Sequence, residues 1–246
     1  FITSDIALPI DFFATFREKI SDSFNAITVD GDTSTNDTCI MLANGVSGIR
    51  YEDLNVSEQE EFCLALEIVM KELAKSIVRD GEGATKLIEL RVEKAESHEE
   101  ALKMARFIGT SNLAKCAMFG EDPNWGRILS SAGSSGCNMV AEHTDLYFGD
   151  VQVLSGGRPV ECDTNALHAV VKKKEYQAYV GEIMREGKIE IEKEEKEKTR
   201  IKKIKSRFRK QYDSYYKNLG AEYANMFIYS MSILKEVPFD IDVQEM

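Results

Sequence analysis

Three short polar clusters hold residue types that could bind or transform a small molecule. The densest is Asp30 to Thr38, an unbroken run of small polar residues between two apolar segments. Asp, Asn, Ser, Thr and Gly also bond to nearby backbone groups, so a tight turn is the competing interpretation. A calcium loop is excluded because the Asp-x-Asp-x-Asx-Gly order and the Glu at the twelfth position are missing. From these residues alone, a functional loop and a turn both remain open.

The second cluster, Gly81 to Lys86, reads Gly-Glu-Gly-Ala-Thr-Lys and joins a predicted helix to a predicted strand. Its two glycines permit positive φ and close approach of a ligand. It is not a phosphate loop, because the helix precedes the glycines and the Gly-Lys-Ser/Thr ending is absent. A carboxylate held here, that of Glu82, could accept hydrogen bonds from a substrate ammonium, although a solvated loop glutamate is the commoner case.

The third cluster is Gly120 to Arg127, Gly-Glu-Asp-Pro-Asn-Trp-Gly-Arg, and contains the only tryptophan of the chain. Asp-Pro-Asn predicts a turn that opens a helix at Trp125 or Gly126. Taken alone, the residues favour a structural corner in which Trp125 packs and Arg127 pairs with Glu121 or Asp122.

Histidine and cysteine offer no catalytic or metal-binding pattern. The three histidines, His98, His143 and His168, are expected on surfaces, and no Ser-His-Asp or Cys-His set follows from spacing. The five cysteines form no CxxC pair, so we expect reduced thiols and no metal site.

Alternating helix and strand patterns predict an α/β protein that positions these clusters. We expect a helix over 9–24 with Phe12, Phe13, Phe16 and Ile20 on one face, then strands at 25–30 and 39–42.

Further along, capping boxes at Ser57/Glu60 and Ser97/Glu100 predict two helices. Behind the first, the apolar stripe is Phe62, Leu66, Val69, Leu73 and Ile77. Residues 86–92 alternate as a strand does. Short strands joined at Gly149-Asp150 and Gly156-Gly157 follow, and Asp163 or Thr164 caps another helix.

The character of the chain changes after about Lys174. Residues 172–210 carry a net charge of +7 within a chain whose net charge is −11, and 192–200 lacks apolar residues. This pattern predicts an exposed, largely helical segment at 182–217. The overall acidity argues against nucleic acid as a partner, and no apolar run is long enough for a membrane helix. We therefore expect a cytoplasmic protein.

Together, the three clusters resemble the ornithine acetyltransferase (glutamate N-acetyltransferase) family. Ser-Phe-Asn-x-Ile-Thr-Val-Asp-Gly-Asp-Thr-Ser-Thr-Asn-Asp-Thr (23–38), the Gly81 cluster and the Gly120 cluster occur in that family's order and spacing. The resemblance covers 1–173, and the opening Phe-Ile-Thr-Ser-Asp resembles the strand after the family's self-cleavage site. It implies a mixed α/β fold, with two sheets sandwiched between helices, followed by a charged helical extension at 174–246.

The resemblance also implies the activity and the partners. In the family, a precursor cuts itself before a threonine, and the resulting α and β chains stay together, here expected as an α2β2 oligomer. That threonine takes acetyl from N-acetylornithine and passes it to glutamate, without a cofactor. Some members also use acetyl-CoA as the acetyl donor.

Residue by residue, Glu82 matches the family's substrate-binding glutamate. Other signature positions are expected to support the site: Asp30, Asp32, Thr33, Asn36, Asp37, Gly81, Gly83, Asn124, Trp125 and Arg127. The nucleophilic threonine is expected just before Phe1, so no catalytic residue is assigned within this chain. The family's last strand, Gly-Arg-Gly-Asp-Ala-Ser-Ala-Thr-Ala-Trp-Gly-Cys-Asp, and its terminal substrate-binding residues are not found either, so we expect this chain alone to be inactive.

A second hypothesis belongs to a different class. The fold could be kept as a non-catalytic scaffold or fusion, with the Lys/Glu-rich helix serving in assembly. The coding sequence upstream of Phe1 would distinguish the two, because only the enzyme requires a Thr-Met-Leu and an α chain there.

Overall fold

The computed structural model describes residues 1–181, 199–203 and 206. The chain divides into two compact units. The first comprises Phe1–Phe24, Thr33–Ala74 and the described tail residues, and the second comprises Asn25–Asp32 and the described chain from Lys75 to Gly181. No helix within the described ranges is long and apolar enough to cross a membrane.

The first unit is built on a small parallel sheet. Strand β1 (Ile2–Ser4) pairs with β2 (Met41–Ala43), with Ile2 opposite Met41. Helix α1 (Phe12–Ser21) and most of helix α2 (Val56–Arg79) belong to this unit, as does a 3-10 turn at Tyr51–Asp53. Its core consists of Ile2, Phe12, Phe16, Leu66 and Met70. The rings of Phe12, Tyr51 and Phe62 pack edge to face around it.

The second unit contains a five-stranded mixed sheet in the order β3-β7-β4-β5-β6. Its strands are β3 (Leu87–Glu93), β4 (Asp145–Phe148), β5 (Val151–Ser155), β6 (Arg158–Pro159) and β7 (Glu175–Gly181). Strand β7 runs parallel to β3 on one side and antiparallel to β4 on the other. The α/β class predicted from the sequence is confirmed.

Helices pack against this sheet through alternate strand residues, because these side chains are apolar and share one core with residues of the helices. The helices of the unit are α3 (His98–Thr110), α4 (Asn112–Phe119), α5 (Trp125–Gly133) and α6 (Thr164–Val171). The sheet contributes the buried side chains of Leu146 and Phe148 to this core. The helices contribute those of Ile108, Ile128 and Val171. Burying each such side chain contributes about 1.5–3 kcal/mol.

The two predicted hairpin turns are present, and one of them requires glycine. Gly149, Gly156 and Gly157 all have positive φ. A Cβ added at Gly157 would lie 2.2 Å from the carbonyl oxygen of Ala141. The β5–β6 turn can therefore close only with glycine at that position.

The N-cap residues of α3 and α6 are among those predicted from the sequence, whereas the N-cap of α2 is a different residue from the one predicted. The Ser97 side chain accepts a hydrogen bond from Glu100 N, and Asp163 accepts from the amides at the start of α6. Helix α2 begins two residues earlier than predicted. Asn55 Oδ1 accepts from Glu58 N at 3.1 Å, and Glu58 Oε2 accepts from Asn55 N at 2.9 Å. The reciprocal cap is thus Asn55/Glu58 and not Ser57/Glu60.

Two patterns gave wrong local structure. Residues 25–30 are not a strand, because the chain forms a 3-10 turn at Phe24–Ala26 and is irregular after it. The apolar stripes were also slightly misplaced, since Phe13 of α1 and Ile77 of α2 are 65% and 51% exposed. The strand predicted at 39–42 is found at Met41–Ala43.

Strand β7 lies where the sequence suggested that a helical extension begins. Residues 175–181 form a sheet strand with Tyr176, Ala178 and Val180 buried. Of the segment expected to be helical at 182–217, the described residues 199–203 and 206 are helical, and Arg200 lies 3.4 Å from Glu60. The rest of 182–246 lies outside the described residues, and the division at 173/174 stays a prediction.

Candidate active site

The Glu82 turn links the end of α2 to the start of β3. Helix α2 ends at Arg79, and Ala84 N then donates to Gly81 O at 2.9 Å to close a tight turn. Gly83 has φ +69°, a conformation that side chains rarely adopt. The turn presents the Glu82 side chain to solvent, where its carboxylate is accessible to a cationic group.

Lys86 anchors the far end of this turn. Its ammonium donates to Glu121 Oε1 at 2.9 Å, to Val171 O at 2.8 Å and to Lys173 O at 3.3 Å. The Lys86 side chain is only 9% exposed, and its three donors have three acceptors. Since Val171 ends α6, the ammonium also lies at the negative end of that helix dipole, where a cation is stabilised.

The Gly120 cluster is a corner that opens helix α5. Asn124 is the N-cap, with its Oδ1 accepting from Arg127 N at 3.2 Å and its Nδ2 donating to Asp122 Oδ2 at 3.1 Å. Trp125 packs against the core of the second unit. These contacts place Asn124 and Trp125 in structural support of the corner.

The ion pairing at this corner differs from the expectation. Arg127 was expected to pair with Glu121 or Asp122, but its guanidinium donates to Leu113 O at 3.2 Å, at the start of α4. Glu121 pairs with Lys86 and has φ +57°, which is uncommon for a residue other than glycine. The Gly81 and Gly120 clusters are therefore joined by one salt bridge.

The first part of the polar loop packs in the second unit. Lys115 donates to Val29 O at 2.6 Å, and a Cβ built at Gly81 would lie 3.2 Å from Val29 Cγ1. Asp30 Oδ1 accepts from Asp32 N at 2.8 Å, and both residues are exposed. Asp30 is thus the neighbour in sequence of Val29, which lies against Gly81 of the Glu82 turn.

The second part of the loop, with Thr33, Asn36 and Asp37, belongs to the first unit and is exposed. Asn36 organises it locally, because its amide donates to Ser34 Oγ at 3.1 Å and its carbonyl accepts from Thr38. These are the bonds of a turn, as the alternative interpretation anticipated.

The same stretch leads to the first residues of the chain. Ile2 N donates to Ile40 O at 2.8 Å, so the backbone before Ile2 runs beside the end of the polar loop. Burial raises the pKa of the Cys39 thiol here. The polar loop and Phe1 are therefore close together within the first unit.

Sequence reasoning missed Lys86 and Glu121 as partners. Lys86 was quoted only as part of a motif, and Glu121 was paired with the wrong cation. A basic residue directly before an apolar strand was the available signal, since a nearly buried lysine needs acceptors. A partner 35 positions away along the chain could not be identified from spacing.

The chain combines a mixed α/β fold with the Asp30, Gly81 and Gly120 clusters, and this combination is typical of one family of enzymes. The chain belongs to the ArgJ family, whose model matches residues 1–193. The match extends twenty residues beyond the 1–173 covered by the resemblance, and it includes β7.

Individual relatives agree with this assignment. The arginine biosynthesis bifunctional protein ArgJ of Symbiobacterium thermophilum is 46% identical over 176 residues, 71% of this chain and 44% of that protein. The glutamate N-acetyltransferase of Methanocaldococcus jannaschii is 46% identical over 165 residues, 65% of this chain and 40% of that protein. This chain therefore spans less than half the length of these relatives.

A solved structure is also similar. The crystal structure of the arginine biosynthesis bifunctional protein ArgJ from Bacillus halodurans matches with a TM-score of 0.68 and 34% sequence identity. The match covers 73% of this chain and 85% of that one. The mixed α/β architecture is thus shared with that protein.

Proposed function

We propose that the protein carrying this chain transfers an acetyl group from N-acetylornithine to glutamate in arginine biosynthesis. The observation that carries the proposal is the exposed Glu82 carboxylate on a turn anchored to the Gly120 cluster, in a chain of the ArgJ family. An accessible carboxylate in a fixed position suits the recognition of a substrate ammonium.

In this proposal the nucleophile is a threonine a few residues before Phe1, in a Thr-Met-Leu context. The bond between Ile2 N and Ile40 O supports such a position, because that threonine would lie beside the polar loop. The residues at 33, 36 and 37 then shape its surroundings. Donors for the oxyanion would come from an α chain, the partner with which this chain would form an α2β2 assembly.

The proposed chemistry has two halves. The threonine Oγ attacks the acetyl carbonyl of N-acetylornithine while its proton passes to a base, for which the α-amine of the threonine is suited. The amide C–N bond breaks, ornithine leaves with that proton, and an acetyl ester remains. The α-amine of glutamate then attacks the ester, the C–O bond breaks, and the threonine regains its proton. Acetyl-CoA is an alternative donor for the first half.

The test uses the complete gene product. Incubation with N-acetylornithine and glutamate should yield N-acetylglutamate and ornithine, and omission of glutamate should leave an acetylated threonine peptide detectable by mass spectrometry. Absence of both products, with a folded protein, would favour the scaffold hypothesis. Replacing N-acetylornithine by acetyl-CoA in the same assay identifies the range of donors.

A further inference from the structure

The turn that carries Glu82 is held at both ends by side chains that reach the same backbone segment. Before the turn, the Arg79 guanidinium donates two hydrogen bonds to the Glu175 carboxylate. Nε donates to Oε1 at 2.5 Å and Nη2 donates to Oε2 at 3.1 Å. After the turn, Lys86 donates to Val171 O and Lys173 O. Both anchors therefore fall on the connection between α6 and β7.

That connection, residues 171–175, is itself firmly placed. Val171 is fully buried, and Leu87 N donates to Lys174 O at 2.8 Å at the start of the β3–β7 ladder. The Arg79 contact lowers the pKa of the Glu175 carboxyl, against the opposing effect of its partial burial. The connection is thus attached to the core through Val171 and to β3 through Lys174.

The two anchors differ in burial. The side chains of Arg79 and Glu175 are 40% and 49% exposed, so solvent weakens their attraction. Lys86 is 9% exposed and satisfies two backbone carbonyls as well as Glu121. Loss of its ammonium would remove the donor of three hydrogen bonds at once, two of them to backbone carbonyls, which makes Lys86 the stronger anchor.

The glycines on either side of Glu82 make such anchors necessary. Gly83 has open space around its Cα, and neither glycine restricts the backbone as another residue would. A carboxylate on a freely moving turn would lose conformational entropy each time it bound a cation. Fixing the ends of the turn removes part of that loss in advance.

We infer that Lys86 is a positioning residue that holds Glu82 in place for the substrate ammonium, with Glu121 and the 171–175 connection as its base. This inference rests on the proposed function, because Glu82 must bind substrate for its position to matter. Lys86 itself touches no substrate and acts through the turn.

The first test measures kinetics of the complete gene product with N-acetylornithine as donor and saturating glutamate. Lys86→Met should raise KM for the donor about tenfold while kcat stays within about twofold, because the reacting carbonyl is not the group displaced. Glu121→Gln should raise the same KM about threefold, since Lys86 keeps its two carbonyl partners.

Glu89→Gln is the matched control. Glu89 forms a 3.0 Å salt bridge with Lys75 in the same unit, and Glu121 forms its 2.9 Å salt bridge with Lys86. Both substitutions remove one carboxylate from one lysine, but only Glu121 bonds to a residue of the Gly81–Lys86 cluster. Glu89→Gln should therefore leave the donor KM unchanged. Equal KM values for both variants and wild type would overturn the inference.

A double-mutant cycle separates positioning from a general loss of stability. If Lys86 acts only through Glu82, Lys86→Met should change KM by less than about twofold in a Glu82→Gln background. An undiminished tenfold effect in that background would overturn the inference. If Lys86→Met does not fold, Glu121→Gln takes its place in the cycle.

The same measurements distinguish failure of the inference from failure of the proposed function. A wild-type protein without acetyl transfer would refute the proposed function. An active wild type in which the effects of the two substitutions on KM are additive would refute the inference alone.

Discussion

Glu82 is the residue on which the proposed recognition of substrate depends. Its side chain is exposed, so its replacement should disturb folding little. We expect Glu82→Gln to raise KM for N-acetylornithine about 10-fold to 100-fold, the equivalent of a charge-assisted hydrogen bond of about 1.5–3 kcal/mol. Steady-state kinetics and thermal unfolding, measured together, check this expectation.

Glu161→Gln provides the control, because Glu161 is also an exposed carboxylate in an irregular segment of the second unit. It should change neither KM nor the melting temperature. An unchanged KM for Glu82→Gln combined with a lowered melting temperature would instead assign Glu82 a structural role.

Residue types and their local order predicted the helix-opening turn of the site, but they did not predict which charged side chains form salt bridges. Asn124 was correctly placed at a helix-opening turn because a cap acts on amides two or three positions away. The pair of Lys86 and Glu121 depends on how β3, α6 and the Gly120 corner meet, which local patterns do not encode. The roles of the site residues in substrate binding stay predictions.

At the scale of elements, the reciprocal cap of α2 gives a direct test. Asn55→Ala should lower the free energy of unfolding by about 1 kcal/mol, since it leaves the Glu58 amide without its acceptor. Ser57→Ala, at the position that the sequence pattern favoured, should stay within about 0.5 kcal/mol. Urea unfolding of both variants makes the comparison, and a larger loss for Ser57→Ala would contradict the cap.

The contact between α1 and α2 should depend on pH. Burial raises the pKa of Glu67, but hydrogen bonds from Lys19 at 2.7 Å and Lys71 at 2.6 Å outweigh that effect, so the pKa lies below its ordinary value of 4.5. A lowered folded-state pKa means that the stabilisation is present above pH 4.5 and is lost as the pH falls through the folded-state value.

We therefore expect Glu67→Gln to destabilise the protein by about 1–2 kcal/mol at pH 7, between the values for exposed and buried pairs. The difference from wild type should shrink below pH 4.5. Glu52→Gln is the control, because Glu52 pairs with Arg50 at 2.6 Å but both side chains are at least half exposed. Its loss of stability should be unmeasurable. Chemical unfolding at several pH values would reveal any pH-independent effect of Glu67→Gln, which would contradict the argument.

Two errors in strand prediction, at residues 25–30 and at β7, have the same cause: a strand forms only where it finds neighbouring strands to pair with. Residues 25–30 have strand-like composition but gain no ladder partner, and Thr28 lies against Gly109 of α3 instead. Strand β7 was overlooked because three lysines directly precede it and Glu175 opens it, although Tyr176, Ala178 and Val180 alternate as a buried face requires. Its pairing with β3 and β4 decided the outcome.

For the whole molecule, the decisive boundary is the end of β7. A chain ended after Lys174 lacks the strand between β3 and β4 and the three buried side chains that it contributes. We expect this variant to lose the cooperative thermal transition of the second unit. A chain ended after Lys193, where the family match stops, should keep that transition. Circular dichroism against temperature compares them, and equal melting curves would contradict the expectation.

The position of β7 between β3 and β4 also affects the order in which the protein can fold during synthesis. Four helices and three strands separate β3 from β7 along the chain. At translation rates of about 5–20 residues per second, β3 would wait several seconds before its parallel partner leaves the ribosome. Until then its apolar face can be covered by helices but its edge stays open to other chains. The nascent protein is therefore most vulnerable to aggregation just before β7 emerges.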